Sequence, residues 1–278
     1  LALFALRELP LVARDEVREE LWTLVREVAT TRRAWVVLII GEAGSGKTAV
    51  AESILRELEE GGWADPIRMG WHEPVGPEDG YAGAARALIR PWNETRSSLE
   101  TRLRRRLARA RGTNDQVVQD EAAMLARWSG LSHPGEEPVA AGYGLREVHR
   151  ELDARSWRSL CALSLDNVHL AVEEGDGLAI AEGALQLSAE GIDRPVLVIA
   201  TIRSEAIVQD RVFAERVEAL VNDGAVRVEL PRLDRNGTSL LLAESLTLAP
   251  ALAEQVATRC EGNPLFARQL LVDWSSRG

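Results

Sequence analysis

Two hydrophobic rhythms alternate along the chain. Residues 15–30 place Val17, Leu21, Leu24, Val25 and Val28 at helical spacing, with charged residues filling the other face. A compact, β-branched run from Ala34 to Ile40 follows, bounded by arginines and glycine, which predicts a strand buried on both sides. Past a glycine-rich turn, Thr48 to Glu60 returns to the 3.6-residue period, with Val50, Ala51, Ile54, Leu55 and Leu58 on one face. The order is strand, tight loop, helix.

The same alternation recurs downstream. Residues 61–80 read as long loops around a weak strand near Ile67, and Tyr81 to Arg111 as helix in two pieces around Pro91. A helical stretch at 114–128 and the loop-like residues 130–144 form an insertion, and Leu145, Val148, His149 and Leu152 mark a further helix. Strands are then predicted at Leu160–Leu165, Val196–Thr201 and Ala225–Leu230, separated by helices at 177–190 and 206–221. Strands alternating with helices predict an α/β domain whose mostly parallel sheet is flanked by helices on both faces. After Pro231 three short helices, Leu240–Leu248, Ala251–Cys260 and Leu265–Trp274, follow with no strand between them. The reading therefore divides the chain into a core at 1–231, with a lead-in helix, and a small helical lid at 232–278.

Composition narrows the class. At 278 residues, 46% hydrophobic and 27% charged, the chain reads as globular, and no apolar stretch approaches a membrane span. A formal net charge of −10 argues against direct nucleic-acid binding driven by overall charge. Cys161 and Cys260 make no CxxC or disulfide framework, so a reducing, cytoplasmic setting is expected. The chain starts at Leu1 and ends on LLVDWSSRG, which suggests a segment of a longer polypeptide. Of the 33 basic residues 32 are arginine, and the single lysine is Lys47.

That lysine lies in Gly41-Glu42-Ala43-Gly44-Ser45-Gly46-Lys47-Thr48, which satisfies GxxxxGK[ST] between a predicted strand and a predicted helix. Glycines allow the backbone to wrap a phosphate, and the turn and helix start present N–H groups to it. The loop residues, with Ala49 after them, are the candidate nucleotide-binding backbone. Lys47 is the β/γ-phosphate cation, and the Thr48 hydroxyl is a ligand for Mg²⁺. Asp166, at the C-terminal end of the predicted strand Leu160–Leu165, is the second candidate Mg²⁺ group. Its neighbour Asn167 can orient water but cannot deprotonate it, which predicts slow hydrolysis. Nearby Glu173, Glu174 and Asp176 offer carboxylates, and His169 fits either a buried structural histidine or a water-positioning group. Thr201 and Arg203, ending the next strand, are placed to read the γ-phosphate.

Five patches in order carry a resemblance to the STAND class of AAA-type P-loop ATPases, in the branch found in bacterial LuxR-type and MalT-like regulators and in kinase- or cyclase-linked ATPases. They are Leu11-Val12-Ala13-Arg14-Asp15-Glu16, similar to "VGRxxE"; the loop at 41–48; Leu165 to Ala171, similar to "DDxHWAD"; Ala200-Thr201-Ile202-Arg203, similar to "ATxR"; and Gly262-Asn263-Pro264-Leu265-Phe266, matching "GNPLF". The resemblance implies a sheet order of 5-1-4-3-2, ATP or ADP held between core and lid, and adenine contacts from Val12-Ala13-Arg14. It also implies Arg203 as a strand-end sensor and Pro264 near the nucleotide. The nucleotide of such proteins acts as a switch on other domains of the same polypeptide and on self-association. Ala13 departs from the family glycine, a modest change provided the backbone there is not at positive φ. Asn167, Leu170 and Val172 depart from the acidic and tryptophan positions on one loop.

Other signals point elsewhere only weakly. The arginines at 102, 104, 105, 106, 109 and 111 fit a solvated helix face or a docking surface. Histidines 72, 133, 149 and 169 show no metal-ligand spacing. The leading expectation is an ATP/ADP-binding, Mg²⁺-dependent, slow regulatory ATPase. Its alternatives are a nucleotide-binding module without hydrolysis and an AAA ATPase acting on nucleic acid.

Overall fold

Strand β1 (Trp35–Gly41) is apolar at consecutive positions because it lies in the middle of a sheet covered on both faces. Val36, Leu38 and Ile40 point into one core and Val37 and Ile39 into the other, the period of two expected of a pleated strand. The structure, a computed structural model, describes residues 9–74, 76, 79–89, 94–128, 152, 155, 156, 159–171, 177–245 and 250–277. Within that range the strands β2 (Ile67–Gly70), β3 (Cys161–Asp166), β4 (Val196–Arg203) and β5 (Val226–Glu229) join β1 in one parallel sheet ordered β2-β3-β4-β1-β5. Read from the other edge, this is the order 5-1-4-3-2 that the resemblance implies.

Helices α1 (Asp15–Thr31) and α2 (Lys47–Glu60) cover one face. Leu21, Leu24, Val25 and Val28 of α1 and Val50, Ile54, Leu55 and Leu58 of α2 pack with Val37, Ile39, Leu197 and Ile199. Helices α3 (Gly80–Ile89), α6 (Ala179–Ala189) and α8 (Arg211–Asn222) contribute Tyr81, Ala84, Ile180, Ala181, Val217 and Leu220 to the other core. Helix α4 (Arg96–Arg111) buries Leu99, Leu103 and Leu107 against Val118, Ala122 and Leu125 of α5 (Gln116–Trp128) and against Ala85 and Ile89 of α3. On its polar face Arg102 pairs with Glu94 and Arg96 with Glu100, while Arg104, Arg105 and Arg109 are exposed.

Several boundaries move for local chemical reasons. The predicted helix at 206–221 is two helices, α7 (Ser204–Gln209) and α8, because the Asp210 carboxylate accepts from the N–H groups of Val212 and Phe213 and so starts a new helix. The first lid helix, α9 (Arg235–Ser245), starts five residues before Leu240 because Asp234 accepts from the Gly237 amide at 2.7 Å. With α10 (Pro250–Cys260) and α11 (Pro264–Arg277) it forms a separate apolar cluster of Leu233, Leu241, Leu242, Val256, Cys260, Ala267 and Leu271, joined by Val12 from the lead-in segment. Pro91, residues 130–144, the helix at 145–152 apart from Leu152, Val172, Glu173, Glu174, Asp176 and residues 246–248 lie outside the described residues.

Ala13 sits at φ 52°, so the condition under which its methyl would be a minor change does not hold: an L side chain occupies the left-handed region there. A Cβ on Gly237 would lie 2.9 Å from the Ala13 Cβ, so the space glycine would leave at 13 is instead left at 237.

Leu38 is completely buried between the helices and the sheet. Leu38→Ala is expected to lower the unfolding free energy by about 2–5 kcal/mol in urea titrations. Val208→Ala, at a position 86% exposed, is expected to change it by less than about 0.5 kcal/mol.

Candidate functional site

The parallel register brings the chemistry to one edge of the sheet. Gly41 at the end of β1 is level with Arg203 at the end of β4, and Gly70 of β2 with Asp166 of β3. The loop after β1 therefore opens beside both Asp166 and Arg203, where parallel sheets hold ligands. Gly44 and Gly46 adopt φ values of 77° and 98°, and Gly46 leads directly into α2. The amides of Gly44, Gly46, Lys47, Thr48 and Ala49 donate no hydrogen bond among the described residues. These are the open donors of a helix start, directed where an anion would lie.

The carbonyls of the same loop are all engaged. Lys47 Nζ donates to Gly41 O at 2.8 Å and to Glu42 O at 2.7 Å. Asn263 Nδ2 donates to Ala43 O at 2.8 Å, the Leu265 amide to Gly44 O at 3.3 Å, and Arg14 Nη2 to Ser45 O at 3.1 Å. The Val50 amide takes Gly46 O at 3.0 Å. Besides the Val50 amide, three groups thus hold the carbonyls: the loop's own lysine, the lead-in arginine and the GNPLF segment of the C-terminal helices. A Cβ on Gly44 would come within 2.6 Å of Asn263 Oδ1, so only glycine admits the lid here. Gly262, at φ 76°, is equally forced, because a Cβ there would stand 2.0 Å from Leu233 O.

Asp166 is clamped. Its Oδ1 accepts from the hydroxyls of Thr48 at 2.7 Å and Thr201 at 2.6 Å, and its Oδ2 from Asn167 Nδ2 at 3.2 Å. Thr201, fully buried, also accepts from the Asn167 amide at 2.9 Å. Its hydroxyl is spent on positioning the carboxylate, which replaces the expectation that it reads a phosphate. Asn167 itself is at φ 57°, a left-handed conformation that asparagine tolerates. Arg203 lines the cleft, and its side chain makes no ion pair or hydrogen bond among the described residues.

These groups border a cleft of about 720 Å³ lined by the loop from Gly44 to Ala49, by Asn167 and Arg203, by Val12 and Arg14, and by Pro264 and Leu265 of the lid. Arg14 is buried and bonded to Ser45 O and, at 2.7 Å, to Pro231 O, so its guanidinium ties the loop to the segment that follows β5. Three side chains that the sequence reading passed over belong to the site. Glu205 accepts from the Ala43 amide at 3.1 Å. Arg232 bridges Glu42, at 2.7 Å, to Glu261 of the lid, at 3.2 Å. Arg268 lines the cleft from α11. None of the three stands in a motif; for Glu205 the signal lay in β-strand register, for Arg232 in its place between β5 and the first C-terminal helix.

Burial lowers the Lys47 pKa, with Glu205 the largest opposing influence. Burial also lowers Arg14. The carboxyl of Glu205, although partial burial works the other way, is held below its ordinary range by its own amide and that of Ala43. Burial, then the cations Arg203 and Lys47, push the His169 imidazole down to about 4.

The donor set fits a nucleotide with its cation. Open amides and one ammonium suit phosphate oxygens, and a hydroxyl oxygen 2.7 Å from a carboxylate oxygen suits a hard cation that keeps most of its ligands from phosphate and water. A sequence profile described as "AAA ATPase domain" matches residues 10–199. The chain belongs to this AAA ATPase domain family. No curated protein matches it. Among solved structures, the AAA domain resembles the Aeropyrum pernix ORC1 protein in complex with DNA, at TM-score 0.59 and 17% identity over 97% of this chain and 62% of that one. It also resembles the ORC2 protein of the same organism in ADPNP–ADP complexes, at 0.51 and 14% over 96% and 63%. A Walker-type ATPase of Pyrococcus abyssi matches at 0.50 and 15% over 96% and 69%. The AAA domain thus spans somewhat under two thirds of the two ORC proteins, and at these identities the likeness is one of fold.

Both ring nitrogens of His169 lack a hydrogen-bond partner among the described residues. Its folded pKa, about 4, lies below the unfolded value of about 6.5, so the unfolded chain protonates first as the pH falls. Stability is expected to drop between about pH 6.5 and 4, and His169→Gln to remove that part of the drop. In NMR titration the His169 resonance should shift near pH 4; titration near 6.5 would contradict the burial argument.

Proposed function

We propose that this AAA domain is a Mg²⁺-dependent ATP/ADP switch with slow hydrolysis, of the STAND class, within a larger signalling or transcription-regulating protein. The observation that carries the reading is the direct bonding of the lid to the phosphate loop, through Asn263, Leu265 and the Arg232–Glu42 pair. Any rearrangement of the loop around phosphates is felt by the lid at 232–278, which moves against the core at 1–231 and so reports the nucleotide to neighbouring domains or to a second copy.

In this mechanism the loop amides and Lys47 hold the phosphates, and Thr48 and Asp166 hold Mg²⁺. Mg²⁺ supplies charge neutralisation on the phosphate oxygens. Lys47 exchanges the carbonyls of Gly41 and Glu42 for phosphate oxygens. Val12 and Pro264 enclose the base end of the cleft, and Arg203 faces the terminal phosphate. Asn167 keeps its amide on Asp166, so no carboxylate stands at the second position of that motif to deprotonate water, which supports slow turnover.

Nucleotide is expected to copurify with the chain, identified by chromatography after denaturation. Lys47→Ala should weaken binding of ATP and ADP by about a hundredfold, since a central charge-assisted contact is lost. Asn167→Asp should raise phosphate release by roughly tenfold or more by restoring a base. Unchanged nucleotide binding in the lysine variant would overturn the site.

A further inference from the structure

The register that levels Gly41 with Arg203 has a consequence two residues further on, where Ala43 of the loop meets Glu205. The Glu205 carboxylate accepts the Ala43 N–H at 3.1 Å and makes no ion pair among the described residues. It is therefore an anion seated on an amide of the phosphate loop. Its charge also raises the Lys47 pKa more than that of Asp166 or Glu42 does, so it acts on the ammonium that must receive the outer phosphates. Asp166, by contrast, is held back by Thr48, Thr201 and Asn167.

We propose that Glu205 is a specificity-determining residue, a resident anion that makes the cleft favour a nucleoside diphosphate over a triphosphate. The inference rests on the nucleotide-binding reading above. The inner phosphates of a bound nucleotide lie against the amides that follow Gly44, while the terminal phosphate extends toward Lys47 and the outer rim of the loop. Glu205 is exposed on that rim, on the Ala43 amide. A terminal phosphate brings further negative charge against a carboxylate already fixed there, and the repulsion falls on the triphosphate far more than on the diphosphate. Arg203, two residues earlier and facing the cleft, offers the compensating cation, so entry of the third phosphate requires the carboxylate to leave Ala43 while the guanidinium stays.

The direct test is Glu205→Gln in the full chain, which removes the charge and keeps an oxygen for the Ala43 amide. Calorimetric titration with Mg²⁺ and either ADP or a non-hydrolysable ATP analogue should show about tenfold tighter analogue binding and a change of less than about twofold for ADP. Glu205→Ala, which loses charge and acceptor together, should raise the analogue's affinity in the same direction. Both selective gains should shrink at high salt. An equal gain for both nucleotides, or no gain for the analogue, would overturn the discrimination while leaving the cleft reading intact. A wild-type chain that binds neither nucleotide would overturn both.

Discussion

Four consecutive loop carbonyls, from Ala43 to Gly46, each accept a hydrogen bond from a group other than the lysine of the loop. A peptide plane that turns its oxygen one way turns its N–H the other. With these oxygens engaged, the amides of Gly44, Gly46, Lys47, Thr48 and Ala49 stay open, and the two positive-φ glycines permit the turn that this requires. The donors are the Val50 amide of α2, Arg14 before the first helix, and Asn263 with Leu265 in the C-terminal helices. The loop whose amides stay open is therefore also the one whose carbonyls dock the C-terminal helices.

The rest of the fold delivers those donors to one place. Parallel pairing of β1 with β4 and β5, and of β3 with β4, carries Gly41, Asp166 and Arg203 to the same edge. Two cores, one on each face, pack against the strands that end there. The lid's own cluster recruits Val12, so the lead-in segment is anchored to the lid at the point where Arg14 reaches the loop. Around Lys47 the charges of Glu205, Asp166 and Glu42 oppose that of Arg203.

Much of this was legible in the residues. Periodicity located the strands and helices because each strand alternates between two cores and each helix buries one stripe. The phosphate loop was legible because its glycines and lysine sit between such elements, and the lysine stands out in a chain otherwise using arginine, whose planar guanidinium suits that cradle less well. What stayed hidden depends on register and on approach between remote segments. Nothing local at Glu205 says it will face Ala43, and nothing at Thr201 says its hydroxyl will be taken by Asp166. Capping carboxylates at Asp210 and Asp234 moved helix boundaries against a continuous apolar period. The positive φ at Ala13 is invisible in composition, as is the space at Gly237 that accommodates its methyl.

The central claim is that lid contacts hold the loop in its anion-binding shape. Asn263 does two things: Nδ2 donates to Ala43 O, and Oδ1 accepts from the Phe266 amide to start α11. Asn263→Asp keeps the second and replaces the first with an oxygen facing a carbonyl. Calorimetric titration of ADP with Mg²⁺ should then show roughly five- to tenfold weaker binding in a chain whose circular dichroism and thermal melt are close to wild type. Unchanged affinity in a folded variant would contradict the account.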